Sequence, residues 1–160
     1  MFKSYNNFNN HKVNIFRRIA RKFLLSIAKS FPLNSVRIGA LRLCGFHIGE
    51  EVYIGPELIV VTDNQDLSQM LYVGDRVAIA PRVTLIISSD ANWSRLNDII
   101  PAQRAKITIG NDSWIGAGTI ILPGVEIGEM SVVGAASLVN KNIPIQEIHA
   151  GVPAKLIRKI

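Results

Sequence analysis

The chain has 160 residues, 48% hydrophobic and 19% charged, and a net charge of +6. That length suits one domain with a core of its own, and that composition excludes a disordered chain. One cysteine, Cys44, excludes an intrachain disulfide, and three scattered histidines (His11, His47, His149) lack the spacing of a metal site.

Charge is unevenly placed. Residues 1–49 hold nine Lys/Arg and no Asp or Glu, whereas residues 50–160 hold nine basic and twelve acidic residues. The basicity therefore belongs to the N-terminal segment. Cys44 reads as a small buried hydrophobe in a reducing compartment.

Met1–Asn10 is rich in asparagine and reads as a loose end. From 12 to 31 the spacing predicts an amphipathic helix, with Phe16, Ile19, Ala20, Phe23, Leu24, Ile27 and Phe31 on one face. Arg17, Arg18, Arg21, Lys22 and Lys29 lie on the other, and Pro32 ends it. It is too short and too charged for a membrane span, and it lacks the features of a secretory signal. Two roles suit it: capping the rest of the fold, or peripheral contact with an anionic membrane. Little aromatic interleaving accompanies the charge, so a nucleic-acid partner is not expected. Residues 35–47 read as a second short helix or an irregular lead-in.

From Ile48 the chain counts in sixes. Ile48 and Ile54 lead to Val60, and an interruption over Glu57–Gln69 carries the polar run Thr62–Asp66. The rhythm resumes at Val73, Ile79 and Leu85, with Val77 and Val83 as a companion row. A break follows over 86–106, polar and Trp-bearing. Ile109, Ile115, Ile121, Ile127, Val133 and Val139 then recur without a gap, with a second row of Ser113, Thr119, Val125, Ser131, Ser137 and Ile143. A period of six fits neither helix nor plain strand; it is the mark of a hexapeptide β-helix. The branched residue suits an inward, pleated position, and the glycine that often follows suits a corner where a Cβ is costly. The sequence thus divides into a basic helical segment over 1–47, an all-β solenoid over 48–143 with one excursion loop at 86–106, and a tail over 144–160. A long loop thrown out of a solenoid points to binding.

The runs Gly110-Asn111-Asp112-Ser113-Trp114-Ile115-Gly116-Ala117-Gly118, Ile121-Leu122-Pro123-Gly124-Val125 and Ala150-Gly151-Val152-Pro153-Ala154-Lys155 carry a resemblance. They are similar to the hexapeptide-repeat acyltransferases, in the branch of maltose, galactoside, nodulation-type and polysaccharide O-acetyltransferases. The resemblance implies a left-handed parallel β-helix, a homotrimer with sites between subunits, and acetyl-CoA as donor without a metal. It implies that Ala117, Gly134 and Ala135 meet the pantetheine arm and that Trp114 sits beside the thioester. Lys141, Lys155, Arg158 and Lys159 would meet the CoA phosphates, which suit cationic partners. Each of these residues also has a plain reading as a corner residue or a solvated charge.

Departures from that pattern fall at the chemistry. The family's general base is a loop histidine about ten residues beyond an Ala-Pro pair, and counting from Ala80-Pro81 puts Asp90 there. Arg82 stands where the family often has an acceptor-holding asparagine. Ser89, Asn92 and Trp93 complete the candidate acceptor set. Three readings stay open: Asp90 is the base, Asp90 only orients an acceptor, or the chain binds without catalysis. Asp90 and its neighbours equally favour an Asx turn. His47 reads as structural, and His149 stands where the family carries an aliphatic residue. A zinc enzyme of the carbonic-anhydrase kind on the same fold would need three converging histidines. The expected activity is acetyl transfer to a sugar hydroxyl, or an amine, in surface polysaccharide synthesis. The expected location is the cytoplasm, at the inner face of the membrane.

Overall fold

The computed structural model describes residues 15–63, 65–66 and 68–160. Three parallel sheets form the faces of a left-handed prism. Face A carries strands His47–Ile48, Leu71–Val73, Ile107–Ile109 and Glu126–Ile127, and a bridge from Ile127 to Ile143 extends it. Face B carries Tyr53–Ile54, Ala78–Ile79, Trp114–Ile115, Val132–Val133 and Glu147–Ala150, with Lys155–Lys159 folding back antiparallel at its end. Face C carries Ile59–Val61, Thr84–Ile86, Ile120–Ile121 and Leu138–Val139.

The six-residue rows are the core. Ile109, Ile115, Ile121, Ile127, Val133 and Val139 are all buried, one per face per coil. Strand partners in successive coils stack in register, so Ile79, Ile115 and Val133 make one continuous column. The companion row is buried too, and its hydroxyls need partners. They find carbonyls at the corners: Ser113 Oγ donates to Gly128 at 2.9 Å, Ser131 Oγ to Pro144 at 2.7 Å and Ser137 Oγ to Gly134 at 2.7 Å.

At each corner the residue before the companion row takes the left-handed conformation, as at Asp112 (φ 58°), Gly118 (φ 70°), Gly124 (φ 80°), Met130 (φ 55°) and Ala136 (φ 56°). The glycine after the inward residue answers a different need. A Cβ on Gly116 would lie 2.5 Å from the Ala135 nitrogen, so the close approach of the next coil excludes a side chain.

Helix α1 (Ile15–Ser30) and helix α2 (Asn34–Leu43) close the first coil. The helix expected over 12–31 is thus seen from Ile15; residues 12–14 and His11 lie outside the described residues. Asn34 substitutes for a missing strand: its Nδ2 donates to Val52 O at 2.9 Å, and its Oδ1 accepts from Ile54 N at 2.9 Å. Buried Arg37 donates twice to Ile54 O and also to Phe31 O and Pro32 O, satisfying carbonyls that no coil covers. The apolar face of α1 divides. Leu24, Leu25, Ile27 and Ala28 pack on the core, and Ile19 and Phe23 stay exposed.

Three boundaries differ from the sequence reading. The first interruption is confined to about 62–70, because Leu58 is buried and Ile59–Val61 is a strand. Ile87 is fully buried, so the core continues beyond the expected break at 86. The solenoid also gains a strand after Ile143, since Ile148 and His149 pair parallel with Val132 and Val133.

Candidate active site

Two separate surfaces carry the candidate residues. The first is the edge between faces B and C. Trp114 points outward from face B, half-exposed, in register between Ala78 and Val132. The chain turns the edge at Ala117, and one coil later at Ala135. The Ala117 carbonyl accepts a 2.8 Å bond from the Ala136 amide, which fixes the two corners together. The amides of Ala117 and Ala135, on exposed residues one coil apart, have no partner among the described residues. Gly134 sits under Ala150, whose Cβ would be 2.7 Å from a Cβ on that glycine. Lys155 pairs with Ala150 and therefore begins at this same edge.

The other cations spread away. Arg158 lies opposite Ile148 and Lys159 opposite Glu147, at the far side of face B. Lys141 follows the strand Leu138–Val139 and stands at the edge between faces C and A. Within one chain, Trp114, Ala117, Gly134, Ala135 and Lys155 share a neighbourhood, and Lys141 and Lys159 do not join it.

The second surface is the C/A edge, where both insertions leave the prism. Ser88–Ser89 pairs antiparallel with Gln103–Arg104, making the excursion a hairpin. Its tip holds a 3-10 turn over Arg95–Asp98, capped by Ser94 Oγ, which accepts from Leu96 N at 3.2 Å. A cleft of about 250 Å³ runs between Val61–Asp63 on one wall and Ser88, Ser89, Asp90 and Asn92 on the other. Asp90 Oδ1 accepts from the Asn92 amide at 2.8 Å, so the Asx turn does form, with Asn92 at φ 49°. Oδ2 has no partner among the described residues and is open to a ligand.

The candidate acceptor residues divide. Ser89 and Asn92 line the cleft with Asp90. Trp93 is fully exposed and lies outside it. Arg82 takes the left-handed position of a B/C corner (φ 62°), and its Nε lies 2.8 Å from Glu57 Oε2. It is thus held away from Asp90 within one chain.

Sequence reasoning missed the opposite wall of the cleft. Asp63 and Arg104 form an ion pair at 3.3 Å with both side chains largely buried. Arg104 Nη1 also donates to Gln65 Oε1 at 2.9 Å, and Nη2 donates to the Asp66 carbonyl. The polar run at 62–66 signalled an insertion; its partner sits 41 residues downstream and carries no signal of its own. Asp66 is held below the ordinary carboxylate range by hydrogen bonds from Ser68, with desolvation opposing and Arg104 and Arg21 adding to the effect.

The two described histidines, His47 and His149, serve structure. His47 stacks on Tyr72 with ring centroids 4.4 Å apart. His149 does not face the B/C edge: its Nε2 lies 2.8 Å from Glu147 Oε2 at the end of the prism. Among the described residues no group of three or more His, Cys, Asp or Glu side chains is placed to hold a metal ion.

Hexapeptide coils stacked on three parallel faces, with one hairpin insertion, define a left-handed β-helix of the hexapeptide-repeat kind. The bacterial transferase hexapeptide (six repeats) pattern matches residues 106–141. The galactoside O-acetyltransferase of Escherichia coli K12 is 41% identical over 114 residues, covering 71% of this chain and 54% of that protein. The chain therefore spans about half the length of this relative. A galactoside acetyltransferase solved with coenzyme A superimposes at a TM-score of 0.62, with 28% identity over 91% of this chain and 81% of that one. A polysialic-acid-specific acetyltransferase gives a TM-score of 0.59 and 32% identity over 70% of this chain and 47% of that one. Over these stretches the chain is similar to the hexapeptide-repeat acyltransferases, with galactoside and maltose O-acetyltransferases among the proteins it resembles.

Proposed function

We propose that the protein transfers an acetyl group from acetyl-CoA to a sugar hydroxyl, at sites formed between copies of the chain in a homotrimer. One observation carries the second half of that reading. The B/C edge, with the amides of Ala117 and Ala135, and Asp90 at the C/A edge lie at opposite ends of the strand Thr84–Ile86. Val83 to Ile87 spans roughly 13 Å of extended chain. No single chain brings donor and acceptor together, whereas a neighbouring prism can set its C/A hairpin over this B/C edge. Likeness to a galactoside acetyltransferase that binds coenzyme A supports the donor.

The residues then take these roles. The Ala117 and Ala135 amides donate to pantetheine carbonyls, and Trp114 packs beside the thioester. Lys155 and Arg158, with Lys141 and Lys159 from other edges of the assembly, meet the phosphates of CoA. Ser89 and Asn92 hold the acceptor in the cleft. Trp93 and Arg82 reach it only across the subunit boundary. The acceptor oxygen attacks the thioester carbonyl, and its proton passes to Asp90 Oδ2. The tetrahedral intermediate collapses, the C–S bond breaks, and the proton returns to the departing CoA sulfur. With a carboxylate in place of an imidazole, positioning carries a larger share. An amine acceptor, already partly deprotonated, would ask still less of Asp90.

The acceptor class is a surface polysaccharide or its lipid-linked precursor, modified on the cytoplasmic side. Likeness to the polysialic-acid-specific acetyltransferase supports it. The test is CoA release from acetyl-CoA against a panel of free sugars and lipid-linked glycans, for wild type and Asp90→Ala. Sugar-dependent release that falls by orders of magnitude in the variant supports the reading. Donor binding without transfer to any acceptor favours a non-catalytic solenoid.

A further inference from the structure

Helix α1 presents a second apolar stripe that the fold leaves uncovered. Ile15, Ile19 and Phe23 follow four-residue spacing and therefore share one face. Ile19 is 62% exposed and Phe23 67% exposed, although Leu24 and Ala28, on the opposite side of the helix, pack against the core. Lys22 and Lys29 are exposed and flank the stripe, and the helix contains no acidic residue. Residues 1–49 carry nine cations and no anion. An apolar stripe edged with cations fits the boundary between anionic headgroups and acyl chains. No helix among the described residues is long and apolar enough to span a bilayer, so the contact is peripheral.

The same helix is tied to the candidate acceptor cleft. Arg21 points inward, where burial lowers its pKa and the nearby Asp63 opposes that effect. Its Nη2 donates to the Asp63 carbonyl at 2.8 Å and its Nη1 to the Gln65 carbonyl at 2.6 Å. Asp63 lines the cleft and pairs with Arg104 at the base of the hairpin that carries Asp90. One guanidinium thus links the outward-facing helix to the wall that would receive an acceptor.

We propose that the Ile15–Ile19–Phe23 stripe, with Lys22 and Lys29, docks the protein on an anionic lipid surface and so holds the acceptor cleft beside the membrane. Docking itself does not depend on acetyl transfer; only the statement that the cleft receives a lipid-linked glycan rests on the proposed function. Two other occupants are conceivable for such a stripe, a second copy of this chain and the chain's own first fourteen residues.

The test is sedimentation of the full chain with phosphatidylcholine vesicles, with and without phosphatidylglycerol. Wild type is expected to pellet with the anionic vesicles and not with the neutral ones. Ile19→Ser/Phe23→Ser should lower the bound fraction at least tenfold, and Lys22→Gln/Lys29→Gln severalfold. Both variants should keep the wild-type mass by light scattering and the wild-type affinity for CoA. Absence of binding to anionic vesicles, or equal binding by the stripe variant, overturns the proposal. A stripe variant that loses its assembly assigns the surface to a second copy. Wild-type binding that appears only after removal of residues 1–14 assigns it to that segment. Either result also overturns the proposal. Because the readout is lipid binding, it fails or succeeds independently of whether acetyl transfer is found.

Discussion

His149 stands in register over Val133 and so ends a column that is otherwise aliphatic from Ile54 upward. Its ring is largely shielded from water. Its Nε2 lies 2.8 Å from Glu147 Oε2, with the two side chains 13% and 11% exposed. Charged and polar groups this deep require each other, because a lone partner keeps its desolvation cost. His149→Leu alone should therefore destabilise by about 2–4 kcal/mol, since it strands Glu147. The double variant Glu147→Val/His149→Val should be neutral or stabilising. Denaturant midpoints of the three proteins check this.

Gly116 and Gly39 make a second contrast. A Cβ at Gly116 would collide with the backbone of Ala135, whereas a Cβ at Gly39, inside α2, meets nothing within 4 Å. Gly116→Val should cost roughly 2–4 kcal/mol of stability, in the range of strained core changes. It should also weaken CoA binding, because Ala117 and Ala135 form the proposed donor edge. Gly39→Ala should raise stability by about 0.5–1 kcal/mol through helix propensity. Thermal melts and CoA titration read both.

Cys44 is buried, and desolvation raises its thiol pKa to about 11, with Arg21 acting weakly in the other direction. A raised pKa means that the thiol stays protonated through the physiological range, and only the thiolate is alkylated. Native protein at pH 8 should react with iodoacetamide far more slowly than a free thiol. The rate should climb only as pH approaches 11, or on unfolding. The folded state favours the neutral thiol, so its contribution to stability is present at neutral pH and is lost as pH rises towards 11. Alkylation followed by mass spectrometry, with and without denaturant, decides it.

The solenoid was legible because one inward residue in every six must be buried, and burial leaves a mark that counting can find. The coil length was legible too. Ala117 and Ala135 differ by three sixes, one full turn, and the structure stacks them. The same count puts the start of the excursion, Ile87, six residues beyond Pro81 and hence at the next edge, so the loop that carries Asp90 could also have been placed away from the edge of Ala117. The wall of the cleft could not be read this way. Arg104 and Asp63 belong to different insertions, and neither follows the six-residue rhythm. The splitting of α1 was hidden for a related reason. Phe23 and Leu24 are alike in the sequence, and only packing decides that Leu24 turns inward and Phe23 outward.

Sharing of each site between two chains is the central claim, and complementation tests it most directly. Asp90→Ala removes the acceptor end, and Ala117→Trp blocks the donor edge. Each variant alone should be inactive. Random mixing of the two chains should restore about a quarter of wild-type activity, because one site in four then pairs an intact edge with an intact loop. Activity that stays at the background of the single variants after mixing, in assemblies shown by mass to contain both chains, would contradict the shared site.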